Sequence, residues 1–281
     1  MIPIVDTHQH LWDLEQFSLP WLADVEALND NYRMDDYQRA TADSCVVKTV
    51  YMEVDVAPEQ RLAEVDFVSD LCARDDNPMA GAVISGSPGD ARFADYMARF
   101  SDNTYVKGVR QVLHVPSAVR GVCVEPRFVE GMHLLGSMGK CFDLCMRPSE
   151  LGDAIALVEQ CPDTLFVVDH CGNADPQVVS GDIEPDLENP FSHDCQQWMD
   201  DMQALGAHAN VVCKLSGIVA RAPEEWTAQT LAPTVEHCIA SFGADGVVFG
   251  GDWPVCTLGA PLGKWVAALR QIVKSHSEED Q

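Results

Sequence analysis

The stretch Ile4-Val5-Asp6-Thr7-His8-Gln9-His10 reads as a β-strand that ends on two histidines set two positions apart. Side chains at i and i+2 of a strand share a face, so both imidazoles point the same way, as a metal ion or a polarised carbonyl requires. Near the other end, Val247-Val248-Phe249-Gly250-Gly251-Asp252-Trp253-Pro254 is a second apolar strand, and it runs into a carboxylate. Strands at both ends of the chain that finish on ionisable residues suggest a closed barrel.

Six more β-branched or apolar runs lie between them, giving expected strands at 4–10, 46–53, 80–85, 106–112, 141–146, 165–170, 211–216 and 247–251. Helical spacing separates them at 35–41, 57–74, 90–100, 126–138, 149–160, 194–205, 223–242 and 262–276, with Pro58 and Pro126 as first-turn prolines and Ser149 as an N-cap. Near-continuous apolar strands alternating with helices imply a parallel sheet covered by helices, and eight repeats close it into an α/β fold of the (β/α)8 TIM-barrel type. The 281 residues suit one domain over 1–281. Two connections are long, 11–31 after the first strand and 172–190 after the sixth, as expected of lids or walls. The closing Ser277-Glu278-Glu279-Asp280-Gln281 reads as the start of a helix, which allows that a final helix is missing.

With 44 acidic against 18 basic residues the formal charge is −26, which argues against nucleic acid and anionic membrane surfaces, since both need clustered Lys and Arg. Acidic runs such as 24–36 and 182–188 read as solvated surface. The 11 cysteines are odd in number and scattered, with Cys45, Cys141, Cys145, Cys171 and Cys213 inside apolar runs, which favours free thiols in a reducing cytoplasm over a disulfide scaffold. No leader precedes Ile4 and no stretch approaches a membrane span, so a cytoplasmic protein is expected. Outer helices of such barrels often pair, which leaves room for a homo-oligomer.

In a barrel of this kind the working residues stand at the carboxyl ends of the strands. Those ends carry His8 and His10, Glu53, Arg110, Arg147, Asp169 with His170, Lys214 with Ser216, and Asp252. Ionisable groups at so many strand ends mark one converging site. Against this, Asp169 reads more readily as a structural cap, Lys214 and Glu53 divide evenly between substrate contact and ion pairing, and His114 and His193 read as ordinary histidines.

Six segments carry a family resemblance: Val5-Asp6-Thr7-His8-Gln9-His10-Leu11-Trp12, Gly108-Val109-Arg110-Gln111, Phe142-Asp143-Leu144-Cys145-Met146-Arg147-Pro148, Val168-Asp169-His170-Cys171-Gly172, Cys213-Lys214-Leu215-Ser216-Gly217 and Gly250-Gly251-Asp252-Trp253-Pro254. In this order they resemble the lactonase branch of the amidohydrolase superfamily, with its L-fuconolactone, L-rhamnonolactone and 2-pyrone-4,6-dicarboxylate hydrolases. The resemblance implies a distorted TIM barrel that hydrolyses a cyclic ester. It gives His8, His10, His170 and Asp252 as the metal-site positions, holding one divalent ion, zinc by preference, or none that is essential. The fifth strand offers Asp143, Cys145 and Arg147 where binuclear relatives place a histidine, and only Lys107 stands near the place of a bridging lysine, which argues against two metals.

For such a reaction Asp252 is the expected base, with His170 and Arg110 polarising the carbonyl. Trp12, Glu53, Arg147, Lys214 and Trp253 are the expected substrate contacts. Only Arg110 and Arg147 are guanidinium groups at the mouth, which favours a neutral sugar lactone as the small-molecule partner over a dicarboxylate. The rival readings are the dicarboxylate lactonase, a metal-dependent decarboxylase, an amide hydrolase, and a silent sugar-binding barrel.

Overall fold

The computed structural model describes residues 2–277, apart from residues 187 and 190. Eight parallel strands follow one another in sheet order: β1 (Ile4–Gln9), β2 (Val46–Met52), β3 (Met79–Ser85), β4 (Val106–Val112), β5 (Cys141–Cys145), β6 (Phe166–Val168), β7 (Val211–Leu215) and β8 (Val247–Phe249). Helices lie between them, and the whole is a nearly closed (β/α)8 TIM barrel. Closure between β8 and β1 is thin. Thr7 Oγ1 donates to the Phe249 carbonyl at 2.7 Å, the Asp252 N–H to His8 at 2.7 Å, and the His10 N–H to Trp253 at 2.8 Å. Buried Asp6 staples the same seam, accepting from the backbone N–H groups of Gly251 (2.7 Å) and His8 (3.1 Å) and from the Tyr37 hydroxyl (2.8 Å).

The apolar outer faces of the strands pack under the helices, with Phe128, Phe142, Phe166, Trp198, Trp226 and Trp265 among the fully buried side chains. The helix at Leu151–Gln160 begins one residue later than the Ser149 cap implies, because Pro148 opens a 3-10 turn over Pro148–Glu150 that runs into it; Glu150 stands at the N-cap with no side-chain bond. The helix after β7 likewise starts late, at Ala228, where Thr227 and Thr230 form a capping box. A helix at Leu262–Val273 follows β8, so the eighth repeat has its helix; residues 278–281 of the acidic tail lie outside the described residues.

Strands β6 and β8 are three residues each, shorter than the apolar runs suggest. After β6 the chain passes through four consecutive left-handed residues, His170, Cys171, Gly172 and Asn173, with φ of 55°, 54°, 67° and 58°. Only glycine and a few short polar residues adopt this region readily, so such a run needs outside support. Asn173 Nδ2 bonds to the Met146 carbonyl at 2.7 Å and Trp198 Nε1 bonds to the Cys171 carbonyl at 3.0 Å. All 11 cysteines are free, as expected, although Cys45 is exposed. No helix among the described residues is long and apolar enough to cross a membrane.

Candidate active site

The strand-end histidines and Asp252 meet at the top of the barrel. His8 Nε2 and His10 Nε2 are 3.2 Å apart, and Asp252 Oδ1 stands 3.7 Å from the first and 3.4 Å from the second. His10 Nδ1 faces the Met52 carbonyl at 2.9 Å, so that nitrogen carries the proton and Nε2 presents a lone pair. Burial and then Lys214 keep the His8 imidazole neutral, well below its usual value. Two imidazole nitrogens and a carboxylate oxygen converge on one point at distances that the ligands of a single cation would have. Ligands about 2.0–2.1 Å from a tetrahedral zinc stand about 3.3 Å from one another, so the donor set fits one such ion. His170 belongs to the same group, its ligand atom lying within 4.8 Å of those of His8 and Asp252.

His170 is aimed inward by its left-handed backbone and held by Ser216, whose Oγ lies 2.9 Å from Nδ1. Gly217 makes room for the ring: a Cβ there would lie 2.4 Å from His170 Cγ. Burial raises Asp252, but His170, the His10 bond and His8 outweigh it and hold the carboxyl at about 2, so it is ionised across the neutral range.

Below this layer runs a buried charge network. Arg110 Nε donates to Glu53 Oε1 at 2.6 Å, and Arg110 Nη1 stands 3.5 Å from both Asp169 Oδ2 and His8 Nε2. Lys214 pairs closely with Asp143, and its Nζ lies 3.2 Å from Asp169 Oδ1 and 3.3 Å from His8 Nδ1. Burial pushes Asp169 up, yet Lys214 and His8 outweigh that and keep the carboxylate well below its usual range; burial dominates at Asp143, which is raised to about 6. Cys145, Asp169 and His170 also offer ligand atoms within 4.8 Å of one another. There Asp169 already has Lys214 and Arg110 as counter-charges, so His8, His10 and Asp252 are the better donor set for a metal ion.

Above the histidines opens a cavity of about 250 Å³, walled by Trp12, Trp21, His114, Asn173 and Arg221, with His10, Arg110, His170 and Asp252 facing into it. That is the small end for ligand pockets and suits a single small ring. Hollows of about 550 Å³ beside Arg61 and about 750 Å³ under β8 are larger, but no histidine and carboxylate converge in either.

The family model described as Amidohydrolase matches residues 5–281. The chain belongs to the amidohydrolase family. It is 26% identical to an uncharacterized protein of Sinorhizobium fredii, over 90% of this chain and 86% of that one. It is 24% identical to an L-fucono-1,5-lactonase of Burkholderia multivorans, over 96% of this chain and 88% of that one. The crystal structure of an amidohydrolase from Burkholderia multivorans with bound zinc shares the fold at a TM-score of 0.83 and 22% identity, covering 99% of this chain and 94% of that chain.

In this amidohydrolase His8, His10, His170, Arg110, Asp252 and Trp12 are brought to one place, and four other expected contacts are not. Glu53 is spoken for by Arg110 and by the Asp55 N–H at 2.7 Å. Lys214 lies beneath the histidines with its carboxylates. Trp253 packs on Tyr32 and Tyr37, with ring centroids 5.4 and 5.5 Å away. Arg147 does not line the cavity: Glu150 three residues on takes Nη1 at 2.7 Å while the Val115 and Ala118 carbonyls take Nη2 at 2.6 and 3.0 Å. Lys107 is exposed on the far side, bonded to the Thr104 carbonyl at 2.8 Å. Sequence reasoning passed over Arg221, inside a 3-10 turn after β7, and read His114 as ordinary; the only available signal was that both follow strand ends in loops.

Proposed function

We propose that the chain hydrolyses a cyclic ester, a sugar aldonolactone of the L-fucono- or L-rhamnono-lactone type, with water activated by Asp252. The observation that supports this most is the triangle of His8, His10 and Asp252, 3.2 to 3.7 Å on a side, opening into a cavity sized for one ring. The two L-fucono-1,5-lactonase relatives, 24% and 25% identical, point the same way. His8, His10 and Asp252, with His170 beside them, would hold one zinc ion, which when bound supplies Lewis acidity for an ester carbonyl and for water. Asp252, ionised and desolvated, takes the proton from the attacking water. Arg110 lines the cavity with Nε and Nη2 held by Glu53, which leaves its loosely paired Nη1 to hydrogen-bond the carbonyl oxygen as charge develops on it. A carboxyl held at about 2 gives its proton back readily, so Asp252 then protonates the ring oxygen as the C–O bond breaks. The walls of Trp12 and Trp21 suit the apolar face of a sugar ring.

A carboxylated lactone of the 2-pyrone-4,6-dicarboxylate type is the second reading, favoured by Arg221. Its guanidinium lines the cavity, bonds to Asn173 Oδ1 and the Asn173 carbonyl at 3.0 Å each, and has no carboxylate partner among the described residues. A dicarboxylate wants a second such group, and Arg110 is committed to Glu53 while Arg147 does not line the cavity, so the neutral sugar comes first.

A pH-indicator screen of L-fucono-, L-rhamnono- and L-galactonolactone and a pyrone dicarboxylate tests the proposal, with and without chelator. Acid release from one sugar lactone supports it. Turnover of the dicarboxylate alone selects the second reading, and silence throughout, with zinc added, moves the assignment to a decarboxylase, an amide hydrolase or a binding protein.

A further inference from the structure

We propose that His114 is a substrate-binding residue, a neutral imidazole that donates a hydrogen bond from Nε2 to an oxygen of the bound lactone, and that Cys145 is the positioning residue that fixes this tautomer. The inference rests on the lactonase reading for the identity of its ligand and on local geometry for the rest.

His114 is two residues beyond β4, and the ladder places it beside the end of β5. Val112 is in register with Cys145, and the Leu113 N–H continues the pairing to the Cys145 carbonyl at 2.8 Å. The fully buried Cys145 Sγ therefore meets His114 Nδ1 at 3.2 Å. A thiol is a weak but real donor and a poor acceptor, so the S–H points at the ring and Nδ1 receives it. Burial pushes the Cys145 thiol up to about 12, which keeps the proton on sulfur. With Nδ1 accepting, a neutral ring must carry its own proton on Nε2. Burial, Arg221 and His170 all disfavour a second proton, and the imidazole is lowered to about 3. His114 lines the cavity, and Nε2 makes no hydrogen bond to the protein among the described residues. Phe191 packs edge-on at 5.4 Å and closes the ring's other side. The result is a donor that is oriented from behind, uncharged at neutral pH and open only toward the ligand. Arg110 is bound to Glu53 and Arg221 to Asn173, and the His114 N–H adds an uncharged donor suited to an ester or hydroxyl oxygen.

Proton-detected 15N NMR on the intact zinc-loaded protein reads the tautomer directly, with a sugar-derived δ-lactam as the probe ligand. The expected result is an Nε2–H tautomer for His114, a mixture in Cys145→Ala, and a shift of the Nε2–H signal when the lactam is added. In parallel, His114→Phe, which keeps a ring against Phe191, should lower kcat/KM on the lactone about tenfold or more with zinc content unchanged, whereas Cys145→Ser, which keeps a donor, should lower it less than Cys145→Ala does. An Nδ1–H tautomer in the parent, an Nε2–H signal unmoved by saturating lactam, or full kcat/KM in His114→Phe would overturn the proposal. Absence of lactone hydrolysis with the lactam-induced shift intact would instead remove the lactonase reading and leave His114 as the donor.

Discussion

Asp252 adopts a left-handed backbone with φ of 52°, a conformation that Asp and Asn tolerate better than other non-glycine residues. Asp252→Asn therefore keeps the local fold and removes only the proton acceptor. We expect kcat to fall by about 10²–10⁴ with little change in KM, as read from initial rates on the active lactone. His10→Ala removes a nitrogen whose direction is set by the Met52 carbonyl, and zinc affinity should fall at least about 100-fold, measured by competition with a chromophoric chelator. At Gly217, φ is +70° and a Cβ would strike the His170 ring. Gly217→Ala should cost about 1–3 kcal/mol in urea titrations and depress kcat by displacing His170 from Ser216. These three positions separate the chemistry, the donor set and the support behind it.

At the scale of the element, the helix at Arg61–Cys72 is tied to β2 by a buried carboxyl group. Glu64 Oε1 accepts from the Tyr51 hydroxyl at 2.9 Å and the Val54 N–H at 2.8 Å. Burial, and then the neighbouring Glu53, raise Glu64 to about 8 from an ordinary value of 4.5. A carboxyl raised on folding contributes stability that is complete below the unfolded value and is lost as pH rises through the folded one. The native protein should therefore lose Tm relative to Glu64→Gln between about pH 5 and 8, as followed by calorimetry across that range; parallel Tm curves would show that Glu64 is ionised throughout. The elements that differ from the sequence reading do so for similar local reasons. The run 165–170 looks like one strand because residues 165–168 are apolar and lead straight into Asp169 and His170, but the ladder stops at Val168, and tertiary bonds to Met146 and Trp198 hold residues 170–173 in a left-handed turn.

For the whole molecule, the weak point is the seam between β8 and β1, where Asp6 gathers two backbone N–H groups and a tyrosine hydroxyl. Asp6→Ala orphans three buried donors and should cost about 3–5 kcal/mol in urea unfolding, with activity lost in step because His8 and Asp252 flank the seam. The order of strands, the barrel and the inward pair His8 and His10 were legible in the sequence, since the period-2 geometry of a strand and its near-continuous apolar runs are properties of the chain alone. The amidohydrolase family was legible too, because its motifs are short and lie at strand ends. Which strand-end ions serve the cavity was not. Glu53 and Lys214 read as substrate contacts until Arg110 and Asp143 are seen to neutralise them, and Arg147 until Glu150 is seen to pair with it. Arg221 and His114 come from loops whose paths no periodicity records, and they reach the cavity only because Asn173, Phe191 and Cys145 meet them there. Local pattern sets where a side chain starts and which face it leaves from; the pairing of buried charges is settled only when distant strand ends converge, because each ion takes the nearest partner that can offset its desolvation.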